Sequence, residues 1–503
     1  MAVFMVRRLV ISIFTLLAAS FIVFWGASIA GDPMEDLRGV QDEGDAQARI
    51  EARHERMRLS DPIPVRYLAW LSGLLTGDLG ENKFGQSVSG ILGPAVSATM
   101  QLVIAATVLA IVCGITIGII SALRQYSGFD YSLTFAAFLF FSLPVFWVAV
   151  MLKQYGAIQF NNWLRDPSIA LPVLAVVAAL SGLAWMAILG GNRQRRLTSF
   201  AAAALVTAGL FWALSASGWF SDPGLGLLAV VVLSAGSAVG ATFLVAGFRH
   251  REPLLAALVT AGIGVVFYLF SEPILEDPNW LLILLLAVIA VGVGLGVGYM
   301  VGGIHRRQAM PVAALAAFLT GGVIFIDYLL QAYSDYFSRV RGRPISTIGA
   351  STPNFGGSFW ESGLDSIGHL ILPTLALLLI SFAVYTRYSR ASMLEVMNQD
   401  YVRTARSKGL TERTVITKHA FRNALIPVTT LMAFDFGAVI GGAVITERVF
   451  GWQGMGHMFI KGLQEVDPPP VMAFFLIAGG SIVVFNMLAD IAYAYLDPRI
   501  RVS

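Results

Sequence analysis

Apolar and polar residues alternate along this chain on the scale of membrane crossings. Apolar runs of the length that spans a bilayer as a helix, about 20 residues, fall at 9–30, 99–123, 131–158, 169–189, 197–214, 224–246, 254–270, 280–301, 311–330, 367–384, 426–445 and 471–495. The pattern predicts an all-α polytopic membrane protein of about twelve spans. Pro144 and Pro373 lie inside runs, where neighbouring helices can satisfy the freed carbonyls, so kinks are expected there.

The polar segments set the orientation. Arg7-Arg8 precede the first run and place the N-terminus inside by the positive-inside rule. Ser28-Ile29-Ala30 is compatible with signal-peptidase cleavage, but the run exceeds the roughly 7–15 apolar residues of a signal peptide and reads as an uncleaved anchor. Residues 31–94 form a long outer loop with a helix-like patch at 45–59 and turn signals at Asp61-Pro62 and Gly77-Asp78-Leu79-Gly80. Between 161 and 333 the basic connectors Gly191 to Arg196, Phe248 to Arg251 and Ile304 to Arg307 alternate with connectors free of Lys and Arg. This block of six runs therefore begins and ends outside and leaves the later topology unchanged.

The resulting organisation is a first helix (1–30), an outer loop (31–94), spans two and three (95–160), the six-run block (161–333), a second outer loop (334–366) and the last three spans (367–503). A cytoplasmic loop at 387–425 interrupts the last region, and Asp497-Pro498-Arg499 ends the chain inside. Lys153 is expected to snorkel outward and Asp327 to sit at the outer interface. Gly292, Gly294, Gly296 and Gly298 are open to two readings, close helix packing or ordinary transmembrane glycine enrichment.

Composition agrees: 56% of residues are hydrophobic and 13% charged, with mean hydropathy +0.73. The net charge of +3 is spread over short connectors, so no nucleic-acid face is implied. The single cysteine, Cys113, excludes an internal disulfide and a Cys-based metal site. There is no phosphate loop, His-Glu-x-x-His, Gly-x-Ser-x-Gly or paired His ligands, so neither catalysis nor a metal site is expected. Uphill transport would draw on an ion gradient or on an ATPase of another chain. Asp435 is the main ionisable residue inside a span, with Asp490 a weaker instance. It either lines a translocation path or serves a structural hydrogen bond, and needs a partner in both cases.

The densest polar stretch runs from Asp400 to Pro427. It divides at Gly409 into two short helical stretches, since Gly permits a left-handed corner. Thr411 can cap the second stretch, with Thr414 where a capping-box Glu would sit. A bent basic helix tied to two spans can turn a push from a soluble partner into a tilt of those spans. The alternative is a merely solvated positive-inside loop.

Asp400-Tyr401-Val402-Arg403-Thr404-Ala405-Arg406-Ser407-Lys408-Gly409-Leu410, with His419-Ala420-Phe421-Arg422-Asn423-Ala424 and Pro427, resembles the coupling loop of the dipeptide/oligopeptide class of binding-protein-dependent ABC transporter permeases. Gly31-Asp32-Pro33, Gly77 to Gly80, Ser142 to Trp147, Ser392 to Val396, Gly442 to Glu447 with Phe450 and Trp452, and Asn486 with Asp490 and Asp497-Pro498-Arg499 extend the likeness over about 1–160 and 365–503. Two departures stand out. The leading Glu of the importer signature is absent although its Gly is kept as Gly409, and the six-run block is extra to the usual six spans.

The resemblance implies a type I importer core of six spans with about six inserted helices. A second permease, two cytoplasmic ATPases carrying ATP and Mg, and an extracytoplasmic binding protein would complete it, with no cofactor in this chain. It assigns ATPase coupling to Tyr401, Arg403, Thr404, Ala405, Lys408 and Gly409, and, after the corner, to Leu410, Thr411, His419, Arg422 and Asn423. Peptides are the default cargo, with nickel chelates, glutathione and sugars as alternatives. The rival readings from other classes are a gradient-driven carrier or channel acting alone, and a membrane scaffold or sensor.

Overall fold

Each of the twelve apolar runs folds as helix in the computed structural model, which describes residues 2–38 and 43–496. The expectation for Asp497 to Arg501 lies outside the described residues. In chain order the long helices are α1 (Ala2–Ile29), α2 (Val88–Leu123), α3 (Gly128–Ser142) and α4 (Val145–Met151), the last continuing through a π-helical stretch to Leu164. The block contributes α5 (Leu171–Leu189), α6 (Arg193–Ala216), α7 (Gly226–Val245), α8 (Glu252–Phe270), α9 (Trp280–Val301) and α10 (Arg306–Gln331). The C-terminal part contains α11 (Phe359–Met397), the short α12 (Asp400–Ser407), α13 (Phe421–Val449), the short α14 (Met455–Gln464) and α15 (Pro468–Leu496). Among the described residues ten helices are individually long and apolar enough to cross a membrane, or eleven with the bent third span, and α13 adds a 29-residue helix at the run 426–445. The protein is thus all-α and polytopic.

The third run departs from the expected kink. It is broken into two helices meeting at 102°, because Pro144 offers no N–H and holds Leu143 in an extended conformation (φ −82°, ψ 130°). Several helices also outrun their apolar runs. α11 extends for 39 residues, so 387–397 of the expected loop is a rigid continuation of a span.

Core and block are packed by close approach of backbones. In the core, a Cβ on Gly114 would lie 2.6 Å from the Tyr385 Cβ, and one on Gly118 2.6 Å from the Thr386 carbonyl oxygen, so α2 and α11 touch where no side chain fits between them. In the block, Cβ atoms on Gly294 and Gly298 would lie 2.6 and 2.5 Å from Ala313 O and Met310 Cα of α10, whereas Gly292 and Gly296 face open space. Both readings of these glycines hold, one for each face of α9.

Two polar expectations are corrected. Asp327 is fully buried in the protein instead of meeting water at an interface: it accepts from Leu225 N (2.8 Å), Tyr268 Oη (2.6 Å) and Gln331 Nε2 (2.7 Å), and these donors replace water at one end of the bundle. Lys153 turns inward, donating from Nζ to the Val449 carbonyl (3.1 Å) at the end of α13, where orphan carbonyls attract a cation.

The block is clasped to the core at both ends. Trp360 Nε1 of α11 donates to Leu275 O (2.7 Å) and Phe359 N to Asp277 Oδ1 (3.1 Å). At the other end Arg124 and Arg413 donate to Ile188 O and Leu244 O, the terminal carbonyls of α5 and α7.

Candidate functional site

The polar stretch between α11 and α13 forms a bent handle. α12 ends at Ser407, Lys408 follows as its cap, and Gly409 (φ +76°) turns the chain. Thr411 Oγ1 then accepts from Thr414 N (3.4 Å), capping a single turn that continues as a π-helical stretch, Val415–Ala420, into α13. The expected corner and cap are both present. The Thr411 and Thr414 hydroxyls also bond each other (2.9 Å).

An ion pair across the corner stiffens it. Arg406 donates to both carboxylate oxygens of Glu412, at 2.6 and 3.2 Å. This bidentate contact holds the Glu412 carboxyl below its ordinary pKa and the Arg406 guanidinium above its own. Tyr401 Oη accepts from Asn423 Nδ2 (2.9 Å), which also donates to His419 O (3.1 Å). The Tyr401–Asn423 bond therefore ties the two arms together.

The handle has two faces. Val402, Ala405 and Val415 are buried together, backed by Val396 and Met397 at the end of α11. Arg403, Thr404, Lys408, Leu410 and Arg422 point outward, with Arg403 70% exposed. One of the assigned residues, Ala405, thus belongs to the inner side. The outer face is basic, with apolar contact area from Tyr401, Leu410 and Phe421.

Beneath the handle lies a set of polar ties that the sequence reading missed. Arg390 of α11 donates to both oxygens of Asp130 (2.7 and 2.9 Å), and Ser121 Oγ donates to Asp130 Oδ1 (2.5 Å). Ser392 Oγ reaches Ala424 O (2.8 Å), and Ala122, Met393, Ala420 and Ala424 pack in one cluster. Displacing the handle therefore loads α2, α3, α11 and α13 at once. Asp130 and Arg390 lie 260 residues apart, and neither spacing nor composition pairs them.

Within the spans, Tyr385 Oη of α11 donates to Asp435 Oδ2 of α13 (2.9 Å), which supplies the partner this carboxylate requires. A further buried carboxylate, Glu447, stands in the sequence only as part of the family likeness, because it lies just past the apolar run. Its Oε1 accepts from Thr99 Oγ1 (2.6 Å) and its Oε2 from His457 N (3.1 Å), while Trp452 Nε1 donates to Ala98 O (2.9 Å). Gly454 is obligatory there, since a Cβ would lie 2.5 Å from the Glu447 carboxylate. The repeated Gly and Trp of this segment were the available signal.

Residues 307–502 match the family of binding-protein-dependent transport system inner membrane components. Along the whole chain the protein is similar to the oligopeptide transport system permease OppB of Mycobacterium tuberculosis, 26% identical with 99% of each chain covered. It is also similar to the oligopeptide transport system permease AppB of Bacillus subtilis, 26% identical with 100% of each covered. The dipeptide transport system permease DppB of Escherichia coli is 44% identical over 138 residues, 27% of this chain and 41% of that protein. The bent handle lies within the residues that match this family, and along its whole length the chain is similar to oligopeptide transport permeases.

Proposed function

We propose that this permease carries di- or oligopeptides inward, forming the translocation path with a second similar permease and receiving its cargo from an extracytoplasmic binding protein. Two cytoplasmic ATPases, holding ATP and Mg, dock on the handle and its counterpart. The observation that carries this reading is the two-faced handle: its inner side is fixed by Val402, Ala405 and Val415, and its outer side offers Arg403, Lys408 and Arg422 beside exposed apolar side chains. Both termini lie in the cytoplasm, on the side of the basic connectors.

When the ATPases close, Arg403, Lys408 and Arg422 contact them, and the stiff corner at Gly409 passes the displacement to α11 and α13. Coupling requires that the ATPase bind the two states of the permease pair with different free energy. The Arg390–Asp130 tie links both states to the helices that line the path. Asp435 faces α11 and lines that path, and residues 161–333 are an inserted module clasped beside the core. Peptide cargo follows the oligopeptide and dipeptide permeases named above, and the binding protein selects among peptides.

The test is reconstitution of the complex in proteoliposomes with its binding protein. Gly409→Val forces a β-branched residue into the left-handed region. Uptake should fall at least about tenfold, a change of 1.4 kcal/mol or more in coupling, while ATP hydrolysis and membrane insertion persist. Normal uptake by this variant, or a purified complex with no ATPase, would overturn the reading. Peptides that fail to stimulate the ATPase would remove the cargo assignment alone.

A further inference from the structure

Two basic connectors of the block meet at one point. His250 precedes Glu252, the first residue of α8, and His305 closes the 3-10 turn Gly303–His305 between α9 and α10. The turn is forced tight: Gly303 takes φ +49°, His305 N donates to Gly302 O (2.8 Å), and a Cβ on Gly302 would lie 2.7 Å from the Ala309 Cβ. The two imidazoles stack with centroids 3.8 Å apart and planes at 22°. His305 Nδ1 stands 3.4 Å from Glu252 Oε2, is closed to solvent and makes no hydrogen bond. One donor atom from each of the three side chains falls within 4.8 Å of the others, and among the described residues no other group of three does so. Arg306, next to His305, lies over the Tyr299 ring (5.4 Å).

Two imidazoles and one carboxylate suit a borderline divalent ion of the zinc class. A calcium or magnesium site would need more oxygen ligands. Bonds of about 2.0–2.1 Å in a tetrahedron put ligand atoms about 3.3 Å apart, close to the 3.4 Å already present between His305 and Glu252. The remaining separations close by rotation of half-buried side chains, and a fourth position stays open to water. The sequence reading expected no metal site because the histidines sit on connectors 55 residues apart, outside any ligand-spacing motif.

We propose that His250, Glu252 and His305 bind one divalent transition-metal ion, which staples the α7–α8 connector to the α9–α10 connector. The staple bears on the handle, because the α7–α8 connector follows Leu244, whose carbonyl accepts from Arg413. This inference is independent of the cargo and of the partner subunits.

The test uses the purified full chain in mild detergent, any affinity tag removed, titrated with zinc and separately with cobalt. One equivalent of zinc should bind, and cobalt should give the intense visible bands of a tetrahedral site. His250→Gln with His305→Gln should weaken zinc binding at least about tenfold, the loss that even outer partners of a bound metal produce, and abolish the cobalt bands. His54→Gln and His457→Gln should leave both unchanged. Absence of stoichiometric binding, or equal binding by the double variant, would overturn the proposal. If the double variant fails to fold, the unaltered chain decides: octahedral cobalt spectra alone would also overturn it.

Discussion

The helices outside residues 161–333, here the core, and the six-helix block keep together by different means. Lipid gives no hydrophobic drive between helices, so association rests on close packing and on hydrogen bonds inside the bundle. The core uses both: Gly114 and Gly118 bring α2 against α11, and Arg390–Asp130, Glu447–Thr99 and Tyr385–Asp435 link helices distant in sequence. The block relies on small residues, with Ala238, Ala241, Ala257, Ala261 and Ala316 meeting in one cluster and Asp327 as a polar tie at one end. Both regions share close small-residue packing, and the core adds polar ties between helices distant in sequence.

The largest test of this contrast is Arg390→Ala. It leaves the Asp130 carboxylate buried and unpaired, a loss of about 3–5 kcal/mol, and should remove most assembled, transport-competent protein. Replacing both residues by apolar ones should restore protein level but not uptake. Recovery of uptake by the double variant would mean that the tie is only structural.

Next in size, Gly118→Val in the core and Gly298→Val in the block should each destabilise by about 1–3 kcal/mol through overpacking, whereas Gly292→Val, on the open face of α9, should be neutral. Thermal unfolding in detergent reads all three, and equal effects for Gly292 and Gly298 would contradict the one-sided packing. Asp327→Ala should lower stability by about 1–3 kcal/mol, because it strands buried donors, with Asp327→Asn milder. Uptake by the Asp327→Ala protein that remains folded should be unchanged if the block is a passive module.

The smallest effect lies between two helices of the core. Asp467, between α14 and α15, is buried, and that burial pushes its pKa up to about 6. Lys83 N donates to its Oδ2 (2.8 Å) and opposes the shift, and Glu465 adds to it. A raised carboxyl pKa means the folded state holds the proton more tightly. Stability should therefore rise as pH falls from 7 through about 6 and level off near its unfolded value of about 4. Asp467→Asn should flatten that part of the pH profile, and an unchanged profile would reject the assignment.

Much of the fold was legible because each apolar run reports its own solvent. The handle was legible for a related reason: Gly409, Thr411 and the basic residues act within one or two turns of chain. Asp327 and Lys153 were misplaced because burial depends on neighbours from other helices. Pro144 was underestimated because a kink or a full break depends on whether anything else supports the turn.

The sequence by itself determined the order and approximate extent of the apolar helices and the corner in the handle, since hydropathy, backbone freedom and capping are local properties. Only the tertiary structure decided which charges meet. Arg390 finds Asp130, Thr99 finds Glu447 and His250 finds His305 across long separations in sequence, and such pairings exist only once the helices have packed.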